Sequence, residues 1–294
     1  MTAKSRAISL SASEMMTRAS AALFLTALFL ILWVGRAHAM EDDRDVRRFV
    51  SFGGACSGCE LSGRKLSGAR FTAANFSGAM LVGADLRGAT FFGSNFSGAN
   101  LTRADLSEAE LRAANFSRAV FVEAEMADLE AQGANFAGAN LSRANLGSAE
   151  LQGSSFAGAT MLSLKATDAE LSGCDLSGVD ARGAIFTGAE FNASNLAGGH
   201  FDRSSFRDAE LNGANLSGAT FLLADFRDTE MVRANLAGAD LSTARNLTQE
   251  QVDRACSTST TRLPAGLIGR SCRSGSPAVR PIPRNLIQSV SADW

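Results

Sequence analysis

Seven glutamates stand at intervals of twenty residues along the middle of this chain: Glu110, Glu130, Glu150, Glu170, Glu190, Glu210 and Glu230. If the fold lines them up, such a column could collect hard cations through oxygen ligands or dock a basic partner by charge complementarity. It could equally be a hydrated face that keeps the molecule soluble, with arginines such as Arg112 and Arg233 relieving the repulsion. The cysteines are the other reactive set. Cys56 and Cys59 open the regular region, Cys174 lies inside it, and Cys256 and Cys272 lie beyond its end. A metal site asks for more ligands than either pair supplies. Attachment of c-type haem would need a histidine directly after Cys59, where Glu60 stands. A redox role for Cys56-Ser57-Gly58-Cys59 lacks the usual strand-then-helix setting. Structural roles are therefore expected, with Cys256 and Cys272 as a disulfide and Cys56 and Cys59 as a second structural pair.

Catalysis has little to draw on. His38 lies in the leading segment, and His200 falls at an outward polar position where solvation explains it. There is no tyrosine, and neither a nucleophile elbow nor a phosphate loop is present, so no set of nucleophile, base and orienting group can be assembled. The expectation is a protein that is not an enzyme and holds no cofactor.

The interval of twenty is built from a shorter one. From Cys59 to Thr243 a small residue, a polar residue, a large apolar residue and two turn-tolerant residues recur every five positions without a slip. Ala74-Asn75-Phe76-Ser77-Gly78, Ala84-Asp85-Leu86-Arg87-Gly88 and Ala234-Asn235-Leu236-Ala237-Gly238 are examples. A helix would rotate the apolar residue by about 140° at each repeat and scatter it around the surface, so helix is excluded. In extended backbone, residues two apart share a face. The small and large residues then point inward together, the polar residue points out, and the last two turn the corner.

A second series, Asn75, Asn95, Asn115 and Asn135, followed by Ser155, Asp175, Asn195, Asn215 and Asn235, repeats the interval of twenty one pentad after the glutamates. Four pentads therefore make one coil of a four-sided tube. About nine coils stack into a rod roughly 45 Å long at ~4.8 Å per coil. Three pentads carry alanine in the large slot, Ala131, Ala166 and Ala181, and each enlarges the small slot two residues earlier, to Leu129, Leu164 and Val179. Such exchanges conserve volume only if both positions fill one close-packed interior. Cys174 occupies a small slot.

The ends differ from the array. Lys4, Arg6 and Arg18 precede a mostly apolar run from Ala21 to Gly35 and then Ala37-His38-Ala39, the order of a secretory signal over residues 1–39. The alternative is a retained anchor, for which the run is short of the ~20 residues a spanning helix needs. Periplasmic or secreted localisation is expected, with no membrane span after cleavage. An N-terminal cap over residues 40–58, containing Val46, Phe49, Val50 and Phe52, is expected to lid the first coil as a short helix or strand. After Thr243, Thr248 and Gln251 read as a capping box that opens a short helix within a capping segment 244–273. Residues 274–294 read as a loose tail.

Residues 59–243 hold 14 basic and 22 acidic side chains, whereas 244–294 hold 7 and 3. An acidic rod lacks the basic stripe of a nucleic-acid binder, and a basic protein partner suits it better. Outward apolar residues, Met80 with Val82, Val120 with Val122, Leu162, and Leu222 with Leu223, share one side but are interrupted by Thr102, Ser142, Arg182 and Asp202. They offer at most a weak self-association face.

The pentads resemble those of the pentapeptide-repeat family, whose consensus is Ala, Asp or Asn, Leu or Phe, and two variable residues. The resemblance implies an all-β solenoid, a right-handed quadrilateral parallel β-helix. Asn246-Leu247-Thr248-Gln249-Glu250-Gln251-Val252 and the pair Cys256 and Cys272 also resemble the ending of exported members. The family's best-known branch mimics B-form DNA and protects or inhibits DNA gyrase, and no motif here selects it. The expected function is an exported, non-enzymatic scaffold or interaction rod. The alternatives are an acidic DNA mimic acting on a topoisomerase such as gyrase, and a cation-binding envelope protein.

Overall fold

The structure, a computed structural model, describes residues 54–272. The expected signal, residues 40–53 of the expected cap and the whole of the expected tail lie outside the described residues.

Each pentad contributes one short extended step and one turn. The polar residue bridges in parallel to its counterpart twenty residues on, giving four columns that we number as faces. Face 1 runs from Ala55 and Asn75 to Asn235 and Cys256, and face 2 from Glu60 and Met80 to Asp240 and Arg262. Face 3 runs from Lys65 and Asp85 to Arg245, and face 4 from Arg70 and Thr90 through the glutamates to Glu230. The large residue donates forward to the next coil, as Phe76 N does to Asn95 O at 2.7 Å, and the polar residue donates back, as Asn95 N does to Ala74 O at 2.8 Å. The next small residue closes the corner, as Ala79 N does on Phe76 O at 3.0 Å. The second corner residue has positive φ at every pentad from Gly58 to Gly238. Glycine adopts this conformation freely, yet Arg103, Glu123, Asp168 and Leu223 adopt it too.

The array starts one pentad earlier than Cys59. Ala55 already bridges Asn75, and Cys56 occupies a buried large slot, so residues 54–58 belong to the first coil rather than to a cap. Bridging also continues past Thr243 to Arg245.

The interior is the predicted lumen of alternating small and large side chains. Phe76, Phe96, Phe116, Phe136 and Phe156 stack in parallel with centroids 4.8–5.1 Å apart, close to the strand spacing, so one ring sits over the next at the coil rise. Leu129, Ala131, Leu164, Ala166, Val179 and Ala181 are each no more than 1% exposed, and the exchanged pairs face one core. The small slots before face 1 hold a feature the repeat pattern hid. Ser154 Oγ donates to Ala131 O at 2.6 Å and accepts from Ala134 N at 3.0 Å. Ser94 and Ser194 do the same with Phe71 O and Ala74 N, and with Leu171 O and Cys174 N. These hydroxyls satisfy backbone groups inside the wall that would otherwise be costly to bury.

Helix α1, Gln249–Arg254, begins at Thr248 with a complete capping box to Gln251. Gln251 Nε2 also donates to Phe226 O and Thr229 O, at 2.8 and 2.9 Å, fastening the helix to the last turns of face 3. Val252 is buried. The chain then rejoins face 1 at Cys256 and face 2 at Arg262, and Cys256 is joined to Cys272.

The shared lumen makes a strict expectation. Leu129→Ala should lower stability by ~2–5 kcal/mol and Ala131→Leu by ~1–3 kcal/mol, while the double variant recovers most of the loss. Denaturant titration of all four proteins measures this, and simple addition of the two losses would show separate spaces.

Candidate functional site: the glutamate face

Face 4 brings Glu110, Glu130, Glu150, Glu170, Glu190, Glu210 and Glu230 into one column because each occupies the outward position of the same pentad in successive coils. Repulsion between carboxylates at this spacing requires relief. The relief comes from the corner residue one coil earlier, eighteen positions back. Glu130 accepts from Arg112, Glu150 from Gln132 Nε2 at 2.5 Å and Glu170 from Gln152. Glu210 accepts from Asn192 Nδ2 at 2.7 Å and Glu230 from Asn212 Nδ2 at 3.0 Å. The result is a comb in which each tooth crosses from the corner after one coil's face-4 step to the glutamate of the next coil on the same face.

Two teeth are missing. Glu110 follows Phe92, which has no donor, and Glu190 follows Ser172, whose hydroxyl makes no bond to it. The carboxyl of Glu190 is held above its usual range, first by partial desolvation and then by Glu210 and Glu170. Arg112 takes the role expected of it, but Arg233 does not. Its backbone N–H donates to Arg254 O at 2.8 Å, and its guanidinium forms no ion pair with the column. Exposure alternates as well, with Glu110, Glu150, Glu190 and Glu230 exposed and Glu130, Glu170 and Glu210 half-buried. Among the described residues, no three His, Cys, Asp or Glu side chains gather closely enough to hold a metal ion.

Face 1 has a different chemistry. Asn95 Nδ2 donates to Asn75 Oδ1 at 3.3 Å, Asn115 to Asn95 at 3.1 Å and Asn135 to Asn115 at 3.2 Å. The ladder resumes from Asn195 on Asp175 to Asn235 on Asn215. Each step is a side-chain hydrogen bond along the axis of the coil, between amides except where Asp175 accepts. The same oxygens accept backbone N–H groups two residues on, as Asn75 Oδ1 does from Ser77 N, so this column is part of the wall.

Face 2 carries His200, whose Nδ1 lies 3.3 Å from Thr220 Oγ1. The neighbouring Asp180 is taken by Arg182 Nε and Nη2 at 2.7 and 2.6 Å, and this lowers its carboxyl pKa. The orienting acid of a base–nucleophile set is thus already engaged. Met80 and Leu223 of the apolar strip are 36% and 43% exposed, whereas Val82, Val122, Leu162 and Leu222 are half-buried. The strip is discontinuous. Cys56 and Cys59 form a disulfide across the first corner. Cys174 is buried and free, and burial pushes its thiol up to about 12.

The Glu190 carboxyl gives a pH test. A raised acid binds its proton more tightly in the folded than in the unfolded state, so stability falls as pH rises through the window just above the ordinary value of 4.5. Glu190→Gln should therefore melt at a higher temperature than the parent at pH 7, and the difference should vanish below pH 4.5. A gap that stays constant with pH would mean that the unpaired charge is not its cause.

Comparison with known proteins agrees with this architecture. The model of the pentapeptide-repeat family matches residues 56–93, 94–128, 131–161, 167–203, 185–221 and 204–242. Among solved structures, the chain is similar to HetL, a pentapeptide repeat protein involved in heterocyst differentiation regulation in the cyanobacterium Nostoc sp. strain PCC 7120. The two share 29% identity over 70% of this chain and 90% of HetL, with a TM-score of 0.63. It also matches QnrB1, a plasmid-mediated fluoroquinolone resistance protein, at 20% identity over 66% of this chain and 85% of that one, with a TM-score of 0.36. A pentapeptide repeat protein of the Arabidopsis thaliana thylakoid lumen shares 32% identity over 42% of this chain and 66% of its own, with a TM-score of 0.24. No curated protein sequence matches. The chain folds as a right-handed quadrilateral β-helix and belongs to the pentapeptide-repeat family.

Proposed function

We propose that this protein is an exported, non-enzymatic rod whose fixed side-chain columns form a surface for a protein partner. The glutamate comb carries the reading. It is a row of carboxylates whose spacing is set by the backbone and whose orientation is held by Arg112, Gln132, Gln152, Asn192 and Asn212. A surface already ordered loses little freedom on binding, and its charge favours a basic partner. Nothing about the comb suits catalysis, and the lone His200 lacks a free acid to orient it.

The cysteines support export. Cys56–Cys59 staples the first corner and Cys256–Cys272 the last segment, while Cys174 is inaccessible in the lumen. Disulfides at both ends suit an oxidising compartment. The acidic-mimic reading draws on the same carboxylate row and requires a cytoplasmic protein with an intact amino terminus. The cation reading requires carboxylates that converge, and the comb spreads them.

Two measurements test the proposal. Protein isolated from its native cells should show a single thiol, reactive only after denaturation; five thiols and an uncleaved amino terminus would point to the cytoplasm and revive the mimic. Affinity capture with the parent and with a variant carrying Gln at all seven column positions should recover a partner only with the parent. Equal recovery would move the contact to another face.

A further inference from the structure

One corner of the glutamate face departs from its neighbours. Phe92 is 52% exposed, whereas every other phenylalanine among the described residues lies in the lumen and is no more than 1% exposed. Phe91 N donates to Glu110 O at 2.7 Å and Gly93 N to Arg112 O at 3.1 Å. Residue 92 is thereby fixed beside the Glu110–Arg112 step, the place from which Gln132 reaches Glu150 and Asn212 reaches Glu230. An aromatic ring stands where the comb elsewhere has a donor. Glu110 is exposed, and its carboxylate takes no bond from that corner.

The nearby cations are placed elsewhere. Arg112 is committed forward, to Glu130 and to Gln132 Oε1 at 3.1 Å. Arg87 is held on Asp85 at 2.9 Å, and Arg70 lies two coils before Glu110 with Thr90 between them. Glu108, exposed two residues before Glu110, adds a second negative charge. At the other missing tooth, Glu190, Ser172 stands in place of a ring.

We propose that Phe92 and Glu110 anchor the protein partner through one of its arginine side chains. The guanidinium lies on the exposed ring, whose negative face attracts a cation, and its planar fork donates to the two oxygens of Glu110. A lysine ammonium is a compact point charge and lacks the plane that can stack on the ring while the fork spans both oxygens. The ring and the open carboxylate each select a cation, and together they select the planar one. The inference rests on the reading of the column as a partner surface and adds where on that column the contact is strongest.

A fluorescently labelled hexa-arginine peptide, titrated against the full-length protein, tests the anchor. Hexa-arginine is expected to bind more tightly than hexalysine and to weaken with salt. Phe92→Leu keeps an apolar side chain and removes the ring; it should weaken binding about two- to fivefold, the range of an exposed cation–π contact, with an unchanged melting temperature. Phe92→Trp should bind at least as tightly as the parent. Phe92→Gln supplies the missing tooth, so it should raise the melting temperature while weakening binding at least as far as Phe92→Leu. Glu110→Gln should cost more affinity than Glu190→Gln. A parent that binds no hexa-arginine, or binds it no better than Phe92→Leu and Phe92→Gln do, overturns the anchor. Equal losses from Glu110→Gln and Glu190→Gln with Phe92→Leu neutral reduce the contact to charge alone, which also overturns the anchor and leaves the column reading standing. The column reading fails by a different result, hexa-arginine binding that survives Gln at all seven column positions, and the anchor falls with it.

Discussion

Everything in this molecule hangs on the parallel hydrogen bonds that tie each polar residue to its counterpart twenty positions on. They permit no change of register, because a shift of one residue would turn the alternating side chains inside out. A pentad has one residue that may face water and two that must face the lumen, so a slip would expose phenylalanine and bury aspartate in the same step. The unbroken period from Gly54 onward is the consequence. The lumen then adds its own condition: volume is conserved layer by layer. Leu129 with Ala131, Leu164 with Ala166 and Val179 with Ala181 meet it by exchange, and Gly199 meets it by absence, since a Cβ there would lie 2.5 Å from the ring of Phe201.

The same bonding explains why the corners tolerate so many side chains. A non-glycine residue in the left-handed region costs roughly 1–2 kcal/mol, and such residues survive where the surroundings over-determine the backbone. Arg103 N donates to Val122 O and Glu123 N to Ser142 O, so the corner amide is held in place whatever side chain it bears. Corner identity is thereby released from the fold. The corner residues that meet solvent can therefore vary while the tube stays the same.

How much was legible in the sequence follows from these constraints. The lumen was readable because inward positions recur at intervals of five and twenty and their volumes compensate within one pentad. The capping box was readable because Thr248 and Gln251 lie three residues apart. The start of the array was misplaced at Cys59 because Ala55 is apolar where a polar residue is the rule, and Cys56 takes a slot most often held by leucine or phenylalanine. The comb was missed for a geometric reason: its bonds join residues eighteen apart, and that interval has meaning only once two coils are stacked and a corner is seen to lie beside the next coil's step on the same face. Arg233 has the right charge and the wrong corner position, so composition near the column was a poor guide. The serine bridges at Ser94, Ser154 and Ser194 looked like ordinary small residues because the slot selects for size, and the carbonyl each one serves belongs to the previous coil.

The two columns that look alike as repeats are therefore different materials. On face 1 the amides bond to one another and to the backbone, so each bonded Oδ1 is shared between a neighbouring amide and an N–H of the wall. On face 4 each bonded glutamate uses one carboxylate oxygen toward its corner donor, leaving the other oxygen with lone pairs directed at solvent. A guanidinium or ammonium group can meet those free oxygens without breaking the comb, and at Glu110 and Glu190 it would meet carboxylates with both oxygens open. A polar column becomes available for recognition when its own fold leaves it half satisfied, and the glutamate column keeps open acceptors that a cationic group can meet.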